Sequence, residues 1–133
     1  MIKEIKGGHL SISKNDNAFF CIYFQRTPDG SIYINDECTD VEAEPYILSE
    51  DDEVVFTVGG LFEKIVKNPG QDNVVIVIKA EDTAGVNIPY TNFSREYSYD
   101  VKMRNRGRLI YTLNYPRKFI VKGIVTWGKL IWN

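Results

Sequence analysis

The sequence predicts an all-β protein, an antiparallel sandwich of about seven or eight strands. Apolar and polar side chains alternate along most of the chain, which is the period of a β-strand. Turn signals rich in Gly, Pro, Asn and Asp recur about every 8–12 residues, a spacing typical of sandwiches. No segment carries the longer apolar period of a convincing helix.

The N-terminal part predicts a β-hairpin. Residues 18–24 form a dense apolar and aromatic run. Pro28 and Gly30 follow at the positions that a tight turn favours. We therefore expect residues 18–26 and 31–35 to pair as antiparallel strands.

The central part predicts two further strands and one ambiguous segment. Residues 54–58 have the composition of a strand, whereas residues 61–67 fit either a short helical turn or a strand. Residues 74–78 are β-branched throughout, which predicts a strand that is buried on both faces or central in its sheet. Residues 79–93 are expected to form a long connection.

The C-terminal part predicts a second hairpin and a last strand. Residues 97–103 alternate as a half-buried strand does, and residues 105–107 carry an Asn-Arg-Gly turn signal. Residues 109–113 are the expected partner strand. Residues 119–127 are expected to form a last, bent strand with a bulge at its glycine.

Length and charge limit the classes of protein that fit. The 133 residues suit one domain, expected to span 1–133. The formal net charge of −2 argues against a general nucleic-acid binder, which needs a basic footprint. No apolar run approaches the roughly 20 residues of a membrane helix, and we expect no signal peptide and no membrane partner.

The scarcity of histidine and cysteine, the residues that serve as catalytic bases, nucleophiles and zinc ligands, argues against an enzyme. Any Ser-His-Asp or Cys-His mechanism would depend on His9, the only histidine, which follows two glycines. No CxxC or HxxxH pair indicates zinc, and no cofactor is expected. Cys21 is interpreted as a small buried hydrophobic residue, and a disulfide between Cys21 and Cys38 is left open.

Charge is distributed unevenly along the chain. Residues 36–53 are rich in Asp and Glu, and the C-terminal third is basic. The acidic segment is interpreted as a solvated loop, with calcium binding as the alternative. The opposite charges also suggest contacts with adjacent copies or with an acidic neighbour.

From residue 46 onward, short motifs follow one another in a specific order. They are Tyr-Ile-Leu at 46–48, Asp-Glu-Val-Val-Phe-Thr-Val at 52–58, Asp82-Thr83, Tyr-Ser-Tyr-Asp-Val at 97–101, Tyr-Thr-Leu at 111–113, Phe-Ile-Val at 119–121 and Val125-Thr126. Over roughly residues 10–127, this order resembles the immunoglobulin-like N-terminal domain of phage baseplate upper proteins and of related phage and prophage tail proteins. The chain departs from that family at 15–17, where Asn-Asp-Asn replaces the common Gly-Asp-Thr.

The resemblance implies an immunoglobulin-like sandwich with a non-enzymatic, structural role. Such a protein is made in the bacterial cytoplasm and assembled into the tail or baseplate of a virion. Its expected partners are other tail or baseplate proteins, with a homo-oligomer as a further option. The alternative is a carbohydrate-binding or adhesin-type module on a bacterial surface.

Five residues are predicted to determine the fold rather than to form a site: Asp82, Thr83, Tyr97, Tyr99 and Asp100. The two tyrosines share a face, where their rings are expected to be buried and a phenolic oxygen to reach a backbone partner. Asp82 and Thr83 follow a strand and are expected to fold back in an Asx or Thr turn. Asp100 is expected to pair with Lys102 or with Arg108.

The apolar C-terminal tail, residues 128–133, is predicted to be the interface. It contains Leu130, Ile131 and Trp132, which we expect to dock on this domain or on a partner, together with Trp127. Trp127 and Trp132 with Tyr115 would alternatively form a platform on which a sugar stacks. The interface interpretation is preferred, because aromatic residues are typical of protein interfaces.

Overall fold

The computed structural model of this chain describes residues 8–88 and 93–123, together with the backbone of 3–5, 125–126 and 129–130. It confirms an all-β protein with two main sheets. None of the helices in these residues is long and apolar enough to cross a membrane.

Thirteen strands occur in the described residues, of which eight are five residues or longer and five are only two or three residues long. The short strands account for the excess over the expected seven or eight. The strands are β1 (Lys3–Ile5), β2 (His9–Ser13), β3 (Ala18–Arg26), β4 (Ile32–Ile34), β5 (Glu44–Pro45), β6 (Asp52–Val58), β7 (Phe62–Val66), β8 (Asn73–Ile78), β9 (Ser94–Asn105), β10 (Arg108–Thr112), β11 (Arg117–Lys122), β12 (Val125–Thr126) and β13 (Lys129–Leu130). A 3-10 turn spans Asn35–Glu37, and helix α1 spans Ala80–Thr83.

The large sheet has the strand order β1-β2-β11-β9-β6-β7, with β10 also paired to β9. Every pair in it is antiparallel except β2 with β11, which is parallel. This pair corrects the expectation of a wholly antiparallel fold. β2 joins the large sheet, whereas the next strand along the chain, β3, belongs to the small sheet. The two successive strands therefore do not form a hairpin.

The long strand β9 organises the large sheet. One edge of β9 pairs with β6, and the other pairs with β11 and then with β10. The predicted hairpin between β9 and β10 is confirmed. Arg106 and Gly107 form its two-residue turn with φ angles of 51° and 78°, the left-handed conformations that such turns require.

The small sheet is built around β3. Residues 18–23 of β3 pair with β8, and its last residues pair with β4 and β5, which confirms the first predicted hairpin. Aromatic rings fill the space between the sheets, where Phe20 meets Phe56 edge to face at 5.3 Å between ring centroids. Phe24 packs in the same way against Tyr111 at 5.8 Å.

Three expectations about single segments are resolved or corrected. The ambiguous residues 61–67 form a strand, β7. The strand at 74–78, β8, is neither buried on both faces nor central in its sheet. Val75 and Val77 are exposed on its outer side, and β3 is its one partner among the described strands. The bent last strand is also corrected: β11 ends at Lys122, the Gly123 amide donates to the Phe93 carbonyl, and β12 pairs with β13 instead.

Candidate docking site

The outer face of the small sheet is apolar, and nothing in the described residues covers it. Phe19 and Tyr23 of β3 are 68% and 47% exposed, and Val75 and Val77 of β8 are 41% and 49% exposed. Phe19 lies opposite Val77, and Cys21 opposite Val75, so these side chains are cross-strand neighbours. We call these five residues the outer apolar face. A contiguous apolar patch on a folded domain indicates an interaction surface.

The alternation of β3 and β8 explains how the outer apolar face arises. Phe20 and Ile22 point inward and are buried, as are Val74 and Ile76 on β8. Successive side chains of a strand point to opposite faces, so the residues between them must point outward. Because those residues are also apolar, the sheet has two apolar faces, of which the large sheet covers one.

One edge of β3 is also unpaired among the described strands. The Phe24 amide donates to the Asp72 carbonyl, and the Phe24 carbonyl accepts from Tyr46, so even-numbered residues of β3 bond toward β8 and β5. Backbone groups alternate along a strand. Those of the odd-numbered residues therefore point to the opposite edge, where β4 pairs with Phe24–Arg26 alone. The exposed groups belong to Phe19, Cys21 and Tyr23.

A cleft of about 500 Å³ opens beside this edge, between the two sheets. Its large-sheet wall includes Leu10 and Val101, and its small-sheet wall is β3 itself. Asp36 and Arg117 line its polar end. We call this space the edge cleft. It exists because β2 pairs with β11, which leaves no described strand beside residues 18–23 of β3.

The polar end of the edge cleft is held by an ion pair between a buried arginine and a half-exposed aspartate. The two terminal nitrogens of Arg117 donate to the two carboxylate oxygens of Asp36 at 2.7 and 2.8 Å. The Arg117 side chain is only 7% exposed, and the Asp36 hydrogen bond raises the pKa of its guanidinium. The Tyr99 hydroxyl donates to the Gly8 carbonyl beside it. The ion pair between Arg117 of β11 and Asp36, which follows β4, ties the large sheet to the small sheet.

Replacement of Gly8 by alanine is expected to lower the free energy of unfolding by about 2–3 kcal/mol. Gly8 has φ of +78°, and a Cβ there would overlap the Arg117 guanidinium, 2.6 Å from its central carbon. Gly30→Ala is the matched control, since Gly30 has φ of +91° and open space around it. Urea unfolding of both variants isolates the effect of the clash. If Gly8→Ala and Gly30→Ala lower the free energy of unfolding equally, Arg117 moves aside at no energetic cost and the clash has no effect.

A second carboxylate anchors the 3-10 turn. The Tyr111 hydroxyl donates to Glu37, and the Asn114 amide donates to the same carboxylate at 3.1 Å. Burial raises the pKa of Tyr111, and the hydrogen bond to Glu37 raises it further. Asp36 and Glu37 thus dock the turn onto the large sheet, which fixes the position of the cleft wall.

Asp52 forms a buried polar cluster at the other end of the molecule. Its carboxylate accepts hydrogen bonds from the Tyr46 hydroxyl at 2.7 Å, the Ser49 amide at 2.8 Å and the Asn105 side-chain amide at 2.8 Å. Burial alone would raise the pKa of Asp52, but these hydrogen bonds outweigh it and lower the pKa. Burial and the Asp52 hydrogen bond raise the pKa of Tyr46 to about 12.

The protein is expected to lose stability as the pH falls below about 4, and Asp52 accounts for part of the loss. Its pKa in the folded protein is below the ordinary value of 3.8, so the unfolded chain takes up the proton first. The carboxylate therefore stabilises the fold above pH 4 and stops doing so as the pH falls through its lowered pKa. Urea unfolding at pH 7, 5, 4 and 3 measures the free energy of unfolding of wild type and of Asp52→Ala. The difference between the two should become smaller as the pH falls. A constant difference would contradict this assignment.

The predicted framework residues lie in structural contacts, and of the five only Tyr99 also lines the edge cleft. Tyr99 is buried and reaches a backbone carbonyl, as expected, whereas Tyr97 is only half-buried. Asp100 pairs with Lys102 at 3.7 Å, one of the two expected partners. Asp82 accepts from the Lys79 amide at 2.8 Å, and Thr83 accepts from the Asn15 amide at 2.9 Å.

The predicted C-terminal interface lies outside the described residues. Ile131, Trp132 and Trp127 are not described, and of Leu130 only the backbone is, in β13. Tyr115, the third member of the alternative sugar platform, is exposed. These residues therefore supply no site geometry.

Cysteine, histidine and metal chemistry add no further site. Cys21 and Cys38 are both free, and Cys21 is half-buried on the outer apolar face rather than buried in the core as expected. His9 accepts a hydrogen bond from the Lys118 amide at 3.0 Å and joins β2 to β11. In the part of the chain that the structure describes, no group of three His, Cys, Asp or Glu residues could hold a metal ion.

Sequence reasoning missed the outer apolar face, although the signal was present. Residues 18–24 and 74–78 are apolar at every position, but the first run predicted only a hairpin strand and the second a buried or central strand. Two neighbouring strands that are apolar on both faces can be fully buried only if each face packs against another layer. In the described residues, the large sheet packs against the inner face and nothing packs against the outer one. Comparison with protein-family models, curated proteins and solved structures gave no match.

Proposed function

We propose that this protein is a non-enzymatic structural component of a phage or prophage tail or baseplate, which docks onto other virion proteins. The observation that carries the proposal is the outer apolar face. Four large apolar side chains of two paired strands are each between 41% and 68% exposed. Their burial against a neighbouring protein would be favourable at about 25 cal/mol per Å² of apolar area.

The strand order supports the immunoglobulin-like part of the proposal. In variable-type immunoglobulin domains, strands C′, C, F and G are neighbours in one sheet, and strands B and E belong to the other. The order β7-β6-β9-β11 and the pair β3 with β8 correspond to this arrangement. The motif at 52–58 coincides with β6, and the motif at 97–101 lies within β9.

The charge pattern is compatible with docking through apolar surface. Arg117 pairs with Asp36, and Arg106 pairs with Asp51 at 3.0 Å. Both pairs join the basic C-terminal third to the acidic segment within one chain. Some of the charge that suggested contacts between copies is thus used inside the fold, and the outer apolar face itself carries no charged residue.

The experiment is mass spectrometry on phage-like particles purified from the source strain after prophage induction. Peptides of this chain should appear at a fixed ratio to tail proteins. Phe19→Ser should reduce incorporation several-fold, whereas Ile65→Ser, which alters an exposed apolar residue of β7, should not. Particles that assemble normally without this chain would overturn the proposal.

A further inference from the structure

We propose that the edge cleft binds one extended segment of a partner protein, which adds to the small sheet as a new strand beside β3. This inference rests on the proposed docking function and names the way in which the partner is held. Strand addition supplies affinity through backbone hydrogen bonds and specificity through side chains at alternate positions.

The backbone of β3 presents the groups that strand addition needs. The N–H and C=O groups of Phe19, Cys21 and Tyr23 point to the open edge, and the cleft lies beside them. Natural edge strands are usually protected by charged side chains, proline or a bulge. The edge strand β7 follows this rule with Glu63 and Lys64, whereas residues 18–23 of β3 have no such protection.

A second folded copy of this chain does not fit the edge. Two copies of β3 could pair in antiparallel fashion only about a two-fold axis perpendicular to the small sheet, because that axis keeps the same faces aligned. Leu10 of β2 and Arg117 of β11 line the cleft beside the open edge of β3, so the large sheet extends past this edge. Both large sheets would then lie on one side and occupy the same space. A single extended segment is narrow enough to enter.

Charge complementarity defines the chemistry of that segment. The cleft lining contains one acidic and one basic side chain, Asp36 and Arg117, which already neutralise each other. A charged side chain in the middle of the segment would therefore be buried without a partner. Asp36 begins an acidic stretch, residues 36–44, that has no Lys or Arg. The segment should be apolar at alternate positions and carry a lysine or arginine at the end near Asp36.

The test uses acetyl-Lys-Thr-Val-Thr-Val-Thr-Val-Lys-amide, titrated into the full chain and followed by NMR. In the free protein, the amides of Phe19, Cys21 and Tyr23 should exchange with solvent faster than those of Phe20 and Ile22, which face β8. The peptide should slow exchange of the first three about tenfold or more. The same peptide with its six inner amides N-methylated should not bind. Binding that leaves these three amides unchanged overturns the proposal.

Two proline variants locate the bound strand. Cys21→Pro removes an N–H that faces the open edge of β3 and leaves the pairing with β8 intact. Val75→Pro is the matched control, since Val75 lies directly opposite and its N–H faces the far edge of β8. Cys21→Pro should raise the Kd of the unmethylated peptide about tenfold or more, and Val75→Pro should leave that Kd unchanged, because Val75 does not line the edge cleft. The reverse result, or unchanged binding by both variants, overturns the proposal.

Failure of this inference can be told apart from failure of the proposed function. If Cys21→Pro is incorporated into particles as well as wild type, strand addition is wrong and the docking function stands. If the chain is absent from particles but binds the peptide at Phe19, Cys21 and Tyr23, strand addition stands and the tail assignment is wrong.

Discussion

Replacement of Asp52 by alanine is expected to lower the free energy of unfolding by about 3–4 kcal/mol. The carboxylate accepts three hydrogen bonds, from Tyr46, Ser49 and Asn105. Alanine would leave all three donors without this acceptor, and the Tyr46 hydroxyl lies in a buried residue. Since these partners come from different parts of the chain, the loss affects the junction between the start of β6 and the β9–β10 hairpin. Urea unfolding at pH 7 measures the change.

The matched control for this prediction is the neighbouring carboxylate. Asp51→Ala removes an exposed ion pair with Arg106, and such pairs contribute about 0–1 kcal/mol. Asp52→Asn is informative as well, because an amide keeps one acceptor oxygen and should recover part of the loss. A similar loss for Asp51→Ala and Asp52→Ala would mean that the buried cluster has no special role.

Phe56→Ala is expected to lower the free energy of unfolding by about 3–5 kcal/mol. Phe56 is fully buried and lies between the sheets, with ring centroids 5.3 Å from Phe20, 5.2 Å from Tyr99 and 6.4 Å from Phe119. Truncation removes the contacts of one ring and leaves a cavity bounded by rings that cannot all move inward. The loss should therefore exceed the transfer free energy of the side chain alone.

The control for Phe56 is a phenylalanine on the outer apolar face. Phe19→Ala changes the same side chain where it is 68% exposed, so its effect on the free energy of unfolding should stay within about 0.5 kcal/mol. The two variants separate stability from docking, because Phe56 contributes to stability and Phe19 to docking. A large loss for Phe19→Ala would mean that the outer face contributes to folding in the isolated chain.

Local signals in the sequence predict much of the fold. The alternation at 97–103 places Tyr99, Val101 and Met103 on the buried face of β9. Gly107 and the residues before it predict the β9–β10 turn. Both signals act over a few neighbouring residues, through side-chain direction and backbone conformation, so they can be interpreted without knowing the rest of the chain.

The location of the candidate site could not be predicted in this way. Whether β2 pairs with β3 or crosses to β11 depends on contacts between residues far apart in sequence, and no local pattern in 9–13 distinguishes the two. The same applies to 74–78, where a β-branched run fits a strand covered on both sides equally well. Both features of the site, the open edge and the outer apolar face, depend on which strands come together in each sheet.

The parallel pairing of β2 with β11 also has a consequence for the order of folding. The hydrogen bond between His9 and the Lys118 amide spans 109 positions of sequence, so β1 and β2 cannot join the rest of the large sheet until β11 has left the ribosome. β3 and β4 are adjacent in sequence, so the first hairpin can form before β11 has been synthesised. Contacts of long sequence separation slow folding. A nascent chain of this protein therefore presents both apolar faces of β3 and β8 before its large sheet is complete, and exposed apolar strands of this kind are prone to aggregate.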